Sequence, residues 1–220
     1  MISHPKDRIK LMNTRSESTE AVIIFVKNAE LGKVKTRLAT QIGHERALEI
    51  YQLLLQHTQS AISPLEADIR VYYSEYLPEV DLWDLSVHTK HLQEGSTLGE
   101  RLIHALKESF ELGYRKIVVI GSDCPQLNAS HIEKAFKELE EVDIVLGPAR
   151  DGGYYLIAMN RLHEHIFQHK SWSSAHLFDQ TLDDLIENKL SWFELPILSD
   201  IDTIEDLERT SFAEASKLLV

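Results

Sequence analysis

Two short runs of apolar, mostly β-branched residues limit the folds available to this chain more than any other feature. The first is Ala21-Val-Ile-Ile-Phe-Val26 and the second is Lys116-Ile-Val-Val-Ile120. Runs of this length and composition are typical of strands that are buried on both faces of a sheet. Residues 44–62 lie between them and carry apolar residues at helical spacing, which predicts a helix with one buried face.

Weaker patterns continue an alternation of strands and helices along the chain. Strands are predicted at 68–73, 87–92, 142–146, 154–159 and 191–195, and helices near 98–112, 130–139 and 174–188 and from 204 onward. Ser130, followed by Glu133, is expected to cap the second of these helices. The alternation predicts an α/β fold with a mostly parallel sheet and helices on both faces, in one domain over residues 21–220. The polar, aperiodic residues 1–20 are predicted to form a flexible tail.

Charge and cysteine content exclude several classes of protein. The 220 residues have a formal net charge of -12, which argues against a nucleic-acid-binding surface but leaves room for a small anionic ligand in a basic cleft. The single cysteine, Cys124, cannot form an intramolecular disulfide. The N-terminal stretch lacks the apolar core of a signal peptide, and no apolar run is long enough to span a membrane. We therefore expect a cytoplasmic protein that does not bind a membrane.

Four cations lie in the eleven residues that follow the first predicted strand, at Lys27, Lys33, Lys35 and Arg37. Ligands of open α/β sheets bind outside the carboxyl ends of the strands, and lysine and arginine complement the charge of phosphate groups. Gly32 would allow a phosphate to approach the backbone. A solvated basic loop is the alternative. A Walker A loop requires a serine or threonine directly after its Gly-Lys pair and another glycine five positions before the glycine of that pair. Those two positions are Val34 and Lys27 here, which excludes this motif.

Asp123 follows the second buried strand directly, within Gly121-Ser-Asp-Cys-Pro125. A carboxylate at this edge of a sheet is well placed for Mg²⁺ or Mn²⁺, which bind one or two carboxylates together with substrate phosphates. An aspartate before a proline also acts as a turn residue or a helix cap. The sequence alone leaves these alternatives open.

Two further acidic segments have both a structural and a functional interpretation. Asp151-Gly-Gly153 is typical of a tight hairpin turn, but its aspartate would also suit the binding or activation of an acceptor. In Asp200-Ile-Asp-Thr203, the threonine begins a capping box with Asp206. This capping box does not involve Asp200 or Asp202, and either of them is a candidate second metal ligand.

Taken together, these motifs resemble a bacterial family of small GT-A-fold proteins related to nucleotide-diphospho-sugar transferases, some of which are described as glycosyltransferases of arsenosugar biosynthesis. The resemblance extends from Val22 to about Leu207. It rests on the following runs: Phe25-x-Lys27, Gly32-Lys-Val-Lys-Thr-Arg-Leu38, Leu98-Gly-x-Arg101, Gly121-Ser-Asp-Cys-Pro125, Gly147-Pro-Ala-Arg-Asp-Gly-Gly-Tyr-Tyr155, Trp172-Ser173 and Asp200-Ile-Asp-Thr203.

The resemblance implies a site divided into three parts. Nucleotide phosphates would bind Lys27, Gly32, Lys35, Thr36 and Arg37. Asp123 would bind the metal together with Asp202 or Asp200 and, with Asp151, would be catalytic. The acceptor would lie beside Gly152, Gly153 and Tyr154.

Three functions are compatible with these expectations. The first is glycosyl transfer from a nucleotide-sugar to a small acceptor, which the family resemblance favours. The second is nucleotidyl transfer from a nucleoside triphosphate to a phosphorylated small molecule, which the basic loop favours. The third is a nucleotide-binding protein without turnover, against which the retention of Asp123, Asp151 and Asp202 argues.

Overall fold

The alternation of side chains along β1 (Glu20–Val26) gives each face of the sheet its own apolar core. The protein is described here by a computed structural model covering residues 18–83, 88–172, 174–210 and 212. Val22, Ile24 and Val26 pack into one core and Ile23 into the other, because successive strand residues point to opposite faces. The prediction of a strand buried on both sides is confirmed.

In the residues that the structure describes, the sheet has seven strands in the order β3-β2-β1-β4-β6-β5-β7. β1 pairs in parallel with β2 and β4, β2 with β3, and β5 with β7, whereas β6 is antiparallel to both of its neighbours. This confirms the predicted mostly parallel α/β fold. The strands after β1 are Asp68–Tyr73 (β2), His88–Leu92 (β3), Lys116–Ile120 (β4), Ile144–Pro148 (β5), Tyr154–Met159 (β6) and Trp192–Glu194 (β7).

Helices cover both faces of this sheet. α2 and α4 pack on the face that includes Val22, and α3 and α5 pack on the face that includes Ile23. α1 and α6 pack on α2 in a third cluster, which includes Leu38, Ile50 and Leu207. The helices are Thr36–Ile42 (α1), His44–Ile62 (α2), Leu98–Glu111 (α3), Ala129–Glu138 (α4), Leu177–Glu187 (α5) and Ile204–Glu208 (α6), with a 3₁₀ turn at Glu164–Phe167.

α4 begins one residue after Asn128, whose side chain accepts from the Ser130 N–H, so the prediction of Ser130 as the cap was wrong. An asparagine two positions earlier satisfies the same free backbone donors.

Residues 1–17 of the expected tail, and Ser173 of the Trp-Ser motif, lie outside the described residues. In the part of the chain that the structure describes, no helix combines the length and apolarity needed to cross a membrane.

Gly99 allows α3 to pack closely against the end of the 3₁₀ turn and against Trp172, which follows it. α3 begins with a capping box between Thr97 and Glu100, and Gly99 lies in its first turn. A Cβ added to Gly99 would lie 2.3 Å from the carbonyl oxygen of Phe167 and 3.1 Å from the Trp172 ring. The absence of a side chain at this position therefore allows the helix and the Trp172 segment to touch.

We predict that Gly99→Ala destabilises the protein, although alanine ordinarily favours a helix over glycine by about 1 kcal/mol. The clash with the Phe167 carbonyl should outweigh that preference and lower the free energy of unfolding by about 1–3 kcal/mol. Urea unfolding measures the change. Lys107→Ala, on the exposed side of the same helix, is the control and should change stability by about 0.5 kcal/mol or less. Unchanged or increased stability of Gly99→Ala would contradict the close packing.

Candidate active site

The loops after β1 and β4 leave the sheet at the same edge. The two strands are parallel neighbours, with Ile24 opposite Ile120, so their carboxyl ends lie side by side. Ligands of open α/β sheets bind outside this edge. The Ile201 N–H donates to the carbonyl oxygen of Asp123 at 3.0 Å, which brings the C-terminal acidic segment to the same place.

The loop after β1 contains two residues in the left-handed region. Gly32 has a φ of 79° and Lys35 a φ of 46°. Glycine adopts such angles readily, whereas a lysine does so at a cost in backbone strain. Lys35 directly precedes α1, and its side chain is turned inward. Strained backbone of this kind clusters at ligand sites, which makes Lys35 a candidate functional residue independently of its charge.

The ammonium group of Lys35 lies between two carboxylates. Its Nζ is 3.0 Å from Oδ2 of Asp123 and 3.2 Å from Oδ1 of Asp202. The Lys35 side chain is only 4% exposed, compared with 38% for Asp123 and 47% for Asp202. Arg37 approaches the other Asp202 oxygen at 3.8 Å and is 71% exposed. The structure thus brings together the predicted phosphate-binding and metal-binding residues, from three distant segments of the chain.

The charges of this cluster stabilise one another. Burial alone would lower the pKa of Lys35, but the negative charges of Asp123 and Asp202 outweigh it and raise the pKa above its usual value. Burial would raise the pKa of Asp123, and here the neighbouring Lys35 outweighs it and lowers the pKa. Both groups are therefore charged at neutral pH, as an ion pair requires.

Tyr51 of α2 connects the two loops beneath this cluster. Its hydroxyl accepts from the backbone N–H of Lys27 at 2.8 Å and lies 3.2 Å from the hydroxyl oxygen of Ser122. The sequence places Tyr51 on the apolar face of a helix, where it is indistinguishable from an ordinary core residue. Its role in the site was therefore missed, and only the fold reveals it.

An open pocket of about 470 Å³ lies at this edge of the sheet. Six of the residues predicted from the sequence line it: Lys27, Lys35, Thr36, Arg37, Asp123 and Asp202. Gly32 is not among the lining residues, and its place in the structure is that of a turn residue. The remaining lining residues include Phe25, Ser74, Gln93, Leu98 and Arg101.

Gln93 and Arg101 are two polar lining residues that the sequence analysis did not assign to the site. The Gln93 side-chain amide donates to the carbonyl oxygens of Val26 and Tyr72 at 3.2 and 2.9 Å. Arg101 donates to the Gln93 side-chain oxygen at 3.3 Å and to the Gly95 carbonyl at 3.0 Å. The run Leu98-Gly-x-Arg101 was the available signal, but it was used only for the family resemblance.

The residues predicted for the acceptor side do not line this pocket. Asp151 accepts from the Gly153 N–H at 2.9 Å in the connection between the paired strands β5 and β6, so the hairpin interpretation is confirmed. Gly152 has a φ of 87°, and a Cβ there would lie 2.1 Å from the Ala175 carbonyl oxygen. The Tyr154 hydroxyl is buried and has no hydrogen-bond partner in the described part of the chain. Their role toward an acceptor stays a prediction.

Asp200 differs from Asp202 in its surroundings. Its Oδ1 is buried and has no hydrogen-bond partner in the described part of the chain. Burial, together with the nearby charge of Asp123, raises the pKa of Asp200 well above its usual value. Asp202, in contrast, forms an ion pair with Lys35, as Asp123 does. Of the two candidates for the second metal ligand, Asp202 is thus the one that shares a cationic partner with Asp123. Cys124 is buried, and burial raises the pKa of its thiol to about 12, which disfavours the reactive thiolate form.

The residues of the pocket fit a divalent metal ion that is bound jointly with a phosphate ligand. Asp123 and Asp202 supply carboxylate oxygens, the donor type that Mg²⁺ and Mn²⁺ prefer, and both already contact one cationic group. Within residues 18–83, 88–172, 174–210 and 212, no cluster of three or more His, Cys, Asp or Glu side chains is suited to a metal ion. Two carboxylates alone leave most of the oxygen shell to substrate and water.

Comparison with known proteins agrees with this geometry. Residues 57–174 match the model of a family described as uncharacterized proteins conserved in bacteria (DUF2064). A candidate nucleotide-diphospho-sugar transferase from Desulfovibrio desulfuricans G20 has 33% sequence identity and a TM-score of 0.79, with 86% of this chain and 85% of that chain covered.

Two more distant proteins are similar to this chain, one in sequence and one in structure. The 2-phospho-L-lactate guanylyltransferase of Methanocaldococcus infernus is 24% identical over 180 residues, which cover 80% of this chain and 78% of that protein. Glucosyl-3-phosphoglycerate synthase of Mycobacterium tuberculosis, solved with Mn²⁺, UDP and glucosyl-3-phosphoglycerate, has 12% identity and a TM-score of 0.54, with 88% of this chain and 76% of that chain covered. The chain belongs to the DUF2064 family, and it is a transferase with the fold of the nucleotide-diphospho-sugar transferases.

Proposed function

We propose that the protein transfers a nucleotidyl group from a nucleoside triphosphate to a phosphorylated small molecule, with Mg²⁺ or Mn²⁺ as the cofactor. The observation that carries the proposal is the pocket at the end of β1 and β4. There Lys27, Lys35 and Arg37 line the same surface as Asp123 and Asp202. Cationic donors beside a carboxylate pair are what a metal-bound polyphosphate requires.

The charge of the pocket favours a triphosphate over a diphosphate. Its lining includes four cationic side chains, those of Lys27, Lys35, Arg37 and Arg101, and two carboxylates. A divalent ion would balance the carboxylates and leave the four cations for the ligand. A nucleoside triphosphate carries about four negative charges, roughly twice the charge of a nucleotide-sugar, and complements this pocket better. The guanylyltransferase relative from Methanocaldococcus infernus supports the same choice.

Glycosyl transfer from a nucleotide-sugar is the second candidate. It is favoured by the family resemblance and by the protein from Desulfovibrio desulfuricans G20, which is 33% identical to this chain. The two reactions would use the same phosphate and metal groups but break different bonds. Nucleotidyl transfer releases pyrophosphate from an NTP, whereas glycosyl transfer releases the nucleoside diphosphate from a nucleotide-sugar.

In the proposed reaction a phosphate oxygen of the acceptor forms a bond to the α-phosphorus. The bond between that phosphorus and the bridging oxygen breaks, and the electron pair leaves with pyrophosphate. Negative charge grows on the leaving group, to which the Lys35 ammonium and the Arg37 guanidinium would donate hydrogen bonds. A bound divalent ion would add electrostatic stabilisation of the same charge. Asp123 and Asp202 would bind that ion.

The acceptor is proposed to lie beside the β5–β6 turn. Asp151 is the group that would orient or activate it, and Gly152, Gly153 and Tyr154 would form the adjacent surface. The turn is rigid, since the Gly152 carbonyl oxygen accepts from the Phe178 N–H at 2.8 Å and the Ala149 N–H donates to the Gly153 carbonyl at 2.9 Å. A rigid turn keeps an acceptor group in a defined position.

Product analysis with each donor class tests the proposal. The protein would be incubated with Mn²⁺ or Mg²⁺, a panel of phosphorylated small molecules, and either NTPs or nucleotide-sugars. Pyrophosphate release that depends on protein, metal and acceptor is the expected result. Release of a nucleoside diphosphate from a nucleotide-sugar would support glycosyl transfer instead. Turnover without any divalent ion would contradict the proposed role of Asp123 and Asp202.

We predict that Arg37→Ala weakens binding of the nucleoside triphosphate. Loss of a hydrogen bond between charged groups typically costs about 1.5–3 kcal/mol, or roughly ten- to a hundredfold in Kd. Isothermal titration calorimetry measures the change. Lys33→Ala is the matched control, because Lys33 has the same charge in the loop just before α1 but pairs with Glu30 and Glu75. Equal affinity of the two variants would exclude Arg37 from the phosphate site.

We predict that Asp151→Asn lowers kcat and leaves nucleotide affinity close to that of the wild type. Asparagine retains a side-chain oxygen that accepts from the Gly153 N–H, as Asp151 does at 2.9 Å, so the turn survives while the charge is lost. Asp183→Asn, at an exposed position of α5, serves as the control for a change of charge. Full turnover of Asp151→Asn would reduce Asp151 to a turn residue.

A further inference from the structure

Lys35 occupies a place in the pocket that differs from that of the other cations. Arg37 is 71% exposed at the pocket mouth, whereas the Lys35 side chain is 4% exposed and contacts both carboxylates. The position that a shared divalent ion would take, between Asp123 and Asp202, is therefore already taken by an ammonium group.

The backbone favours this arrangement. Lys35 has φ 46° and ψ 45° at the residue before α1, and its carbonyl oxygen accepts from the Ala39 N–H at 2.8 Å. This left-handed conformation costs a lysine some backbone strain. The compensation available here is the ion pair with Asp123 and Asp202, which would otherwise face each other as like charges.

We propose that Lys35 is the resident counterion of the Asp123–Asp202 pair, and that it gives up this position to the metal ion when a nucleotide binds. The inference rests on the proposed function, because it assigns a binding order to the same site. The phosphates attract the Lys35 ammonium group away from the carboxylates. The metal ion then binds to the two carboxylates and the phosphates together. The metal therefore enters with or after the nucleotide and not before it.

Electrostatics supports this order. A divalent ion placed beside an ammonium group that is about 3 Å from both carboxylates would meet strong repulsion, since the interaction of two charges at such distances is only partly screened. Phosphate oxygens offer the ammonium group equivalent charge-assisted hydrogen bonds. A nucleotide thus removes the obstacle and supplies the missing metal ligands in the same step.

Replacement of Lys35 by methionine tests the inference without nucleotide or catalysis. Lys35→Met keeps the length of the side chain and removes its charge, which leaves Asp123 and Asp202 without their counterion. We expect its Kd for Mn²⁺, measured by electron paramagnetic resonance of the free ion, to fall about tenfold or more below the wild-type value. Lys33→Met, a loop lysine that pairs with Glu30 and Glu75, should bind Mn²⁺ as the wild type does.

Two further variants make the result unambiguous. Adding Asp202→Asn to Lys35→Met should abolish the gain in Mn²⁺ binding, which assigns the gain to this carboxylate pair. If Lys35→Met does not fold, Lys35→Gln is used in the same Mn²⁺ titration. The glutamine removes the charge but retains a hydrogen-bond donor for one of the two carboxylates. Mn²⁺ affinity in the folded variant equal to that of the wild type would overturn the inference.

The proposed function fails on a different observation. If Mn²⁺ affinity of the wild type does not rise when a non-hydrolysable NTP analogue is added, the metal-dependent site itself is refuted, whatever Lys35→Met does. If it rises in the wild type while Lys35→Met shows no gain without nucleotide, the site stands and Lys35 is not the resident counterion.

Discussion

The ion pairs of Lys35 with Asp123 and Asp202 connect three segments that are far apart in the sequence. Lys35 ends the loop after β1, Asp123 follows β4, and Asp202 precedes α6. The ammonium group is 4% exposed and lies about equally far, at 3.0 and 3.2 Å, from the two carboxylates. Removing the Lys35 charge would leave two carboxylates facing each other without a counterion, and removing both carboxylates would leave a buried ammonium group unpaired. The pocket at the end of the parallel strands depends on this cluster for its shape and charge.

The cluster is compatible with the proposed polyanionic ligand although the protein has a formal net charge of -12. Four cationic side chains line one pocket at the edge of the sheet, and two carboxylates lie among them. A fold of this family places the ligand outside the carboxyl ends of the strands, where Tyr51 and Gln93 fix the backbone through hydrogen bonds to the Lys27 N–H and the Val26 carbonyl oxygen. Electrostatic focusing in a small pocket does not require a basic protein.

Sequence reasoning predicted the elements well where a single physical signal dominates. Hydrophobic periodicity gave α2 (His44–Ile62) its correct bounds, and β-branched runs located β1 and β4. It failed where two signals coincide. Tyr51 looks like a core residue because it is one, and its hydroxyl becomes relevant only when β4 brings Ser122 within reach. Asp200 and Asp202 are equivalent in sequence, and only the packing of the C-terminal segment separates them. The α4 cap was placed two residues late because Asn128 and Ser130 are both good caps.

In the proposed function, one pocket binds both the nucleotide phosphates and the divalent ion. A crystal structure with a non-hydrolysable NTP analogue and Mn²⁺ tests it most directly, because the anomalous signal of manganese locates the ion independently of the model. We predict one peak within direct coordination distance of the Asp123 and Asp202 carboxylates, about 2.0–2.6 Å, with the phosphates contacting Lys35 and Arg37. A nucleotide bound elsewhere, for example in the groove between α4 and β7 lined by His131, Lys134 and Phe193, would contradict it.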